Sequence, residues 1–202
     1  AADPVALLNP IASQMSAMRS TLLGSLVECV RFNTARKQDR VRVFEIAACF
    51  GREQDGFREA ERVAGVCCGA ALPEQWGSRS REVDFFDVRA DVEAIVARDG
   101  LRFEPAAHPA FHPGQCARIH IGDDAAGWIG ALHPAWLQKY ELPATVGFEL
   151  YLHAIRSSAL PVYRPLSRFQ SVRRDIAVVV DEALAAHAVQ ASIFEAGAPL
   201  AT

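Results

Sequence analysis

The sequence predicts an α+β protein in which helices lie against an antiparallel sheet, followed by a shorter second unit. Three observations predict it. Apolar positions recur at helical spacing over residues 20–33 and 87–98. Strand-like runs come in pairs joined by turns, 41–50 with 62–72 and 116–121 with 127–132. A stretch bounded by Pro161 and Pro165 then sets off one apolar run at 176–180 and one helical pattern at 183–195.

Residues 1–12 read as an irregular lead-in carrying Asn9-Pro10. In the first helix, Leu22, Leu23, Leu26, Val27, Cys29 and Val30 share one side, and Ser25, Glu28 and Arg31 share the other. So wide an apolar band suits packing against more than one neighbour, in another subunit or in its own domain. Residues 36–40 are a basic break whose Arg36, Lys37 and Arg40 suit a helix C-terminus. A strand over 41–50, a charged loop over 51–60 and a second strand over 62–72 follow. Residues 73–82 are a loop holding Trp76.

The second helix shows its stripe at Val88, Val92, Ile95 and Val96, with Gly100 as a stop. A short strand at 101–105 leads into a turn-rich loop at 108–114. The hairpin at 116–132 turns around Gly122-Asp123-Asp124. A short helix at 134–140 begins on a proline, and 146–152 alternates as a strand. The continuous run at 176–180 has the composition of a strand buried on both faces.

Composition narrows the function classes. The 202 residues are 50% hydrophobic and 22% charged, with net charge −3, which excludes a disordered chain and a wholesale basic nucleic-acid coat. No run approaches the roughly 20 apolar residues of a membrane span. Arg and Lys total 21, and only Lys37 and Lys139 are lysines. The chain begins at Ala1 and stops at Thr202 just past a helical pattern, which reads as a piece of a longer protein. The five cysteines are odd in number, show no CxxC pair and sit in apolar runs, so reduced structural thiols of a cytoplasmic protein are expected. His108 and His112 stand four apart, but Pro109 and Pro113 follow them and disfavour the helix that would align them on a metal. Asp84, Asp87 and Asp91 are expected around a helix start, where acids suit the dipole. No metal site is expected.

Several motifs resemble, in order, the C-terminal half of the β subunit of bacterial phenylalanyl-tRNA synthetases. They are Asn9-Pro10 with Met18-Arg19-Ser20-Thr21-Leu22-Leu23, then Arg42-Val43-Phe44-Glu45-Ile46 and Asp84-Phe85-Phe86-Asp87. His112-Pro113-Gly114-Gln115, Gly130 with His133-Pro134, and Phe148-Glu149-Leu150 follow. Ser167-Arg168-Phe169 with Val172-Arg173-Arg174-Asp175 completes the set. The resemblance implies a class II synthetase-like core over 1–155, a linker over 156–165, and the truncated opening of a ferredoxin-like anticodon-binding domain over 166–202. It further implies an α2β2 enzyme that joins phenylalanine to tRNA(Phe) with ATP and Mg, its catalytic site on α. The β core is then a non-catalytic copy that binds neither cofactor.

The residues bear on that last implication. A class II site uses one arginine from a strand–loop–strand hairpin and a second from a Gly-rich strand–helix segment to steady phosphoryl charge. Phe50-Gly51-Arg52-Glu53 is similar to the first element. The segment from Thr145 to Arg156 has no GxGxGxER-like run, so no catalytic residue is assigned and Arg52 is expected to be a solvated loop charge. The family's editing pocket and magnesium-ligating acids belong to segments that residues 1–202 do not match.

Two contact surfaces are expected. Arg164, Arg168, Arg173 and Arg174, interleaved with Tyr163 and Phe169, have the chemistry to meet RNA phosphates and bases, or form a basic linker paired with the core. The resemblance places Met18, Leu22, Leu26 and Val30 at the contact with α, with own-core packing the competing role for Leu22 and Leu26. The alternative functions are an independent class II-like amino-acid-activating paralogue and a protein-interaction module.

Overall fold

The computed structural model describes residues 4–53, 56–97, 100–156, 163, 168, 170 and 172–197. The chain divides into two units, Ala1–Leu160 and Pro161–Thr202.

The first unit is built on a six-stranded antiparallel sheet. Its strands are β1 (Arg40–Glu53), β2 (Gly56–Gly69), β3 (Leu101–Pro105), β4 (Phe111–Ile121), β5 (Asp124–Leu132) and β6 (Thr145–Tyr151), in the spatial order β1-β2-β6-β5-β4-β3. Both faces are covered. Helices α1 (Leu23–Thr34) and α3 (Pro134–Tyr140) lie on one, α2 (Phe85–Val96) and α4 (Leu152–Arg156) on the other.

Residue alternation assigns the faces. On β2, Ala64, Val66 and Cys68 join Leu22, Leu23, Leu26, Val27 and Val30 in the core under α1. Val63 and Cys67 join Val88, Val92 and Val96 under α2. Each such Leu or Val side chain removed from water contributes roughly 1.5–3 kcal/mol. Strand β6 is buried on both sides from Thr145 to Leu150, where the sequence pattern suggests a half-exposed strand. It is a central strand with a helical layer over each face, so no side of it meets water.

The helix ends follow local chemistry. Asp84 caps α2 by accepting from the Phe86 and Asp87 N–H groups, and Asp87 returns a bond to the Asp84 N–H, a reciprocal capping box. Asp91 pairs with Arg42. Asp84 and Asp87 therefore stand at the helix start, as the sequence suggests, while Asp91 lies in mid-helix and ties α2 to β1. At the end of α1, Arg36 donates to the Phe32 carbonyl at 2.9 Å and lies over the Phe32 ring. Gly69, at φ +77°, passes so close to the Asp39 carbonyl that a β-carbon would sit 1.8 Å from its oxygen, so no other residue fits there.

Three expectations are corrected. The charged loop at 51–60 is the end of a long hairpin: β1 continues to Glu53 and β2 starts at Gly56. One ion pair forms across the ladder, Arg58 with Glu53 at 3.3 Å, and Arg52 lies over the Phe57 ring. The loop at 108–114 is strand from Phe111 onward, with a large bulge described below. In the second unit the strand at 176–180 is not formed. Residues 172–181 carry no strand pairing among the described residues, and Ile176, Val178, Val179 and Val180 are exposed. An extended run becomes a strand only when a neighbour takes its N–H and C=O groups. The second unit's helix, α5 (Ala186–Gly197), buries none of its side chains among the described residues.

The capping box makes a measurable prediction. Asp84→Ala is expected to lower unfolding free energy by about 1 kcal/mol in urea titration. The Asp87 carboxyl is held down to about 2, first by hydrogen bonds from Arg81. A depressed carboxyl stabilises the fold above its unfolded pKa and loses that contribution as pH falls from about 4 to 2. Asp87→Asn is expected to flatten the stability profile across that window, and an unchanged profile would reject the assignment.

Candidate functional site

The hairpin β1–β2 and the β6–α4 turn are the two places where a class II site would draw its phosphate-binding arginines. The hairpin supplies Arg52, exposed, with its guanidinium carbon 5.9 Å from the centroid of the Phe57 ring. The β6–α4 turn supplies only Arg156, at the end of α4, where it pairs with Glu61 at 3.2 Å. The two are not brought together as a clamp.

What fills the sheet face under α1 is a carboxylate hub. Glu149 on β6 is buried and takes three donors: the Thr21 hydroxyl at 2.8 Å, the Leu22 N–H at 2.7 Å and Arg62 at 2.5 Å. Thr21 also accepts from the Leu23 N–H at 3.2 Å, so one hydroxyl links the hub to the first turn of α1. Arg62 lies over the Tyr151 ring, 5.1 Å from its centroid. Beside it Arg19 pairs with Glu45, which also accepts from Ser25 at 2.5 Å, and the Phe50 N–H reaches the Arg19 carbonyl at 2.8 Å. The segment ahead of α1 is thereby fastened to β1, β2 and β6. A buried carboxylate is tolerated when it is paired and fully hydrogen-bonded.

The remaining reactive groups are structural. The five cysteines are free thiols. Burial pushes Cys49 up to about 11 and raises Cys67, Cys68 and Cys116, which keeps these four protonated and poor as nucleophiles. His108 packs on Phe111 and Trp128, and burial lowers its pKa, so it is neutral near pH 7. Arg118 lies over the other partner ring, Trp128, at 4.3 Å. Among the described residues no group of three His, Cys, Asp or Glu side chains could hold a metal.

The expected contact residues separate into two sets. Leu22, Leu26 and Val30 are 0%, 3% and 0% exposed and belong to the core beneath α1. The interface expectation is corrected for these three: they face their own sheet and have no surface to offer a partner. Met18 is half-buried just ahead of the helix. In the second unit Arg168, Arg173 and Arg174 are exposed and have no ion pair among the described residues, and Tyr163 is 84% exposed. Arg164 and Phe169 lie outside the described residues.

The sequence motifs contain Glu149 and Arg19 but did not single them out. The available signal was one acid inside an otherwise apolar strand, Val146-Gly147-Phe148-Glu149-Leu150. Its donors Thr21 and Arg62 are far away in sequence and carry no local signature.

The hub yields a stability prediction. Glu149→Gln leaves the Arg62 charge largely buried without its partner and is expected to cost about 3 kcal/mol in chemical unfolding. Thr21→Val should cost about 1 kcal/mol. Arg52→Ala should fall within about 0.5 kcal/mol of the parent, as an exposed site does. Equal small costs for Glu149→Gln and Arg52→Ala would show that the hub does not anchor the fold.

The fold is similar to that of a solved tRNA synthetase. It matches the structure of the pyrrolysyl tRNA synthetase PylSc from Desulfitobacterium hafniense with a TM-score of 0.54 at 16% identity, over 76% of this chain and 51% of that one. The chain is 49% identical over 185 residues to the phenylalanine–tRNA ligase beta subunit of Neisseria meningitidis, and 52% identical over 183 residues to that of Chromobacterium violaceum. These alignments cover 91% and 90% of this chain but 24% and 23% of the relatives, so the chain spans about a quarter of their length. Residues 1–152 match the family described as the phenylalanyl tRNA synthetase beta chain CLM domain, and the chain belongs to that family.

Proposed function

We propose that this chain is the non-catalytic, tRNA-docking part of a phenylalanine–tRNA ligase β subunit, acting in the cytoplasm within an α2β2 enzyme that attaches phenylalanine to tRNA(Phe). The observation that carries the reading is the incomplete phosphate clamp. Arg52 has no arginine partner from the β6–α4 turn, and Arg156 is engaged by Glu61. The sheet face under α1 is tied to the protein's own Thr21 and Leu22 through Glu149. These residues do not fit ATP or magnesium, so both are assigned to the α subunit and no chemical step is routed through this chain. No helix among the described residues is long and apolar enough to cross a membrane.

In this reading residues 1–155 are the class II-like core, 156–165 the linker, and 166–202 the opening of the ferredoxin-like anticodon-binding domain. The exposed Arg168, Arg173 and Arg174, with Arg164 beside them in sequence, contact tRNA phosphates, and Tyr163 offers a ring for stacking. Met18 keeps its assignment to the contact with α.

The test has three arms. The purified chain should give no ATP–pyrophosphate exchange, and an exchange signal lost on Arg52→Ala would reverse the reading toward an independent activating enzyme. The chain should be retained by immobilised α subunit. In the full-length β subunit assembled with α, Arg173→Glu should weaken tRNA binding several-fold at low salt and reduce the salt dependence of binding by about one charge. Unchanged binding and slope would remove the arginine segment from the tRNA contact.

A further inference from the structure

One cleft of the first unit plays no part in the hub or the incomplete clamp. It measures about 540 Å³ and lies among the start of α2, β3 and the bulged stretch of β4. Two motifs far apart in sequence meet there, Asp84-Phe85-Phe86-Asp87 and His112-Pro113-Gly114-Gln115.

The bulge opens the cleft. Phe111 opposes Leu132 and Cys116 opposes Gly130, so residues 112–115 on β4 stand against Ala131 alone on β5. β3 stops at Pro105, opposite Ala117, and gives residues 112–115 no partner in register. Large bulges re-aim side chains and free backbone groups beside functional sites. Here Gly114 and Gln115 are exposed, and the bend is fixed by the Gly114 N–H donating to His112 Nδ1 at 3.0 Å. The Gln115 carboxamide has both a donor and an acceptor to offer.

The opposite wall is aromatic. Phe86 is 69% exposed, stands edge-on to Phe85 with ring centroids 5.7 Å apart, and lines the cleft with Phe103 and Pro105. The guanidinium of Arg89 lies 4.7 Å from the centroid of the Phe103 ring and is held there by Glu93 at 2.8 Å. The nearby carboxylates are already engaged, Asp84 by the N–H groups of its helix and Glu93 by Arg89. An exposed ring, a stacked guanidinium and a free carboxamide within one cleft match a flat heteroaromatic group with hydrogen-bonding edges. A purely aliphatic ligand would leave the Gln115 carboxamide unused.

We propose that this cleft holds a single unstacked nucleobase, its face against Phe86 and its edge toward Gln115. Rings and guanidinium planes of this kind accept bases from single-stranded RNA. The inference rests on the cleft alone and is independent of the arginine segment of the second unit.

The experiment follows amide and side-chain resonances of the isotope-labelled chain during titration with adenosine 5′-monophosphate and, separately, with a single-stranded oligoadenylate of eight nucleotides. Shifts confined to residues 84–89, 103–105 and 112–117 are expected. Phe86→Ala should weaken binding at least about fivefold, the lower end of what one base–aromatic stack contributes. Phe86→Tyr should retain it, and Gln115→Ala should weaken it while the circular dichroism of each variant stays unchanged. Tighter binding of the oligomer than of the mononucleotide assigns the base to RNA, and equal binding assigns it to a free nucleotide. Shifts outside the cleft, no shifts with either probe, or equal affinity of Phe86→Ala and the parent would overturn the proposal. Arg173→Glu should leave these shifts in place, which separates this test from the tRNA-docking one.

Discussion

The buried carboxylate of Glu149 is the constraint on which the first unit depends. It stands on β6, the strand enclosed on both faces, and gathers donors from the segment ahead of α1 and from β2. A polar side chain at that depth is tolerable only if its lone pairs are met. Meeting them fixes where α1 begins, because Thr21 and the Leu22 N–H must reach the strand. The apolar side of α1 then falls on Val41, Ala64, Val66 and Cys68 without further adjustment. A polar contact sets the register, and the surrounding apolar burial supplies most of the stabilisation.

The same arrangement bears on what the sheet face can do. A phosphate-binding site needs cationic groups held in place but not yet neutralised. Across the first unit most guanidinium groups are already committed. Arg19, Arg42, Arg62, Arg81, Arg89 and Arg156 meet carboxylates, Arg36 and Arg40 meet backbone carbonyls, and Arg118 rests on Trp128. The strong preference for arginine over lysine follows from this use. A planar fork can bind a carboxylate or carbonyl while its face rests on a ring, as Arg62 does between Glu149 and Tyr151.

Much of this fold is legible in the sequence where the signal is local. The helical stripe of α1, the Asp84 and Asp87 box, the turn at Gly122 and the proline start of α3 are all short-range patterns, and each forms close to its expected place. The misreadings come from partners that local patterns do not contain. Residues 51–60 look like a loop because they are charged, yet a twisted hairpin arm in water favours charges that pair across its ladder. Residues 176–180 look like a buried strand because they are apolar, yet no described neighbour completes a ladder with them. Of the candidate contact residues, Leu22, Leu26 and Val30 were visible as apolar, but only the packing shows that the sheet of the same chain covers them.

Arginine placement also separates the two units physically. In the first, cations are consumed by the fold, and a charge reversal there would be felt as lost stability before any lost contact. In the second, Arg168, Arg173 and Arg174 carry no intramolecular partner among the described residues, and α5 buries none of its side chains there. Unpaired exposed guanidinium groups add little to stability. They do raise the local potential, and a polyanion responds to that local field more than to a chain's net charge of −3. A protein that is acidic overall can therefore meet RNA through one short segment, provided its other arginines are internally neutralised. Most arginines of the first unit are engaged by carboxylates, carbonyls or rings, and Arg52 is an exposed exception.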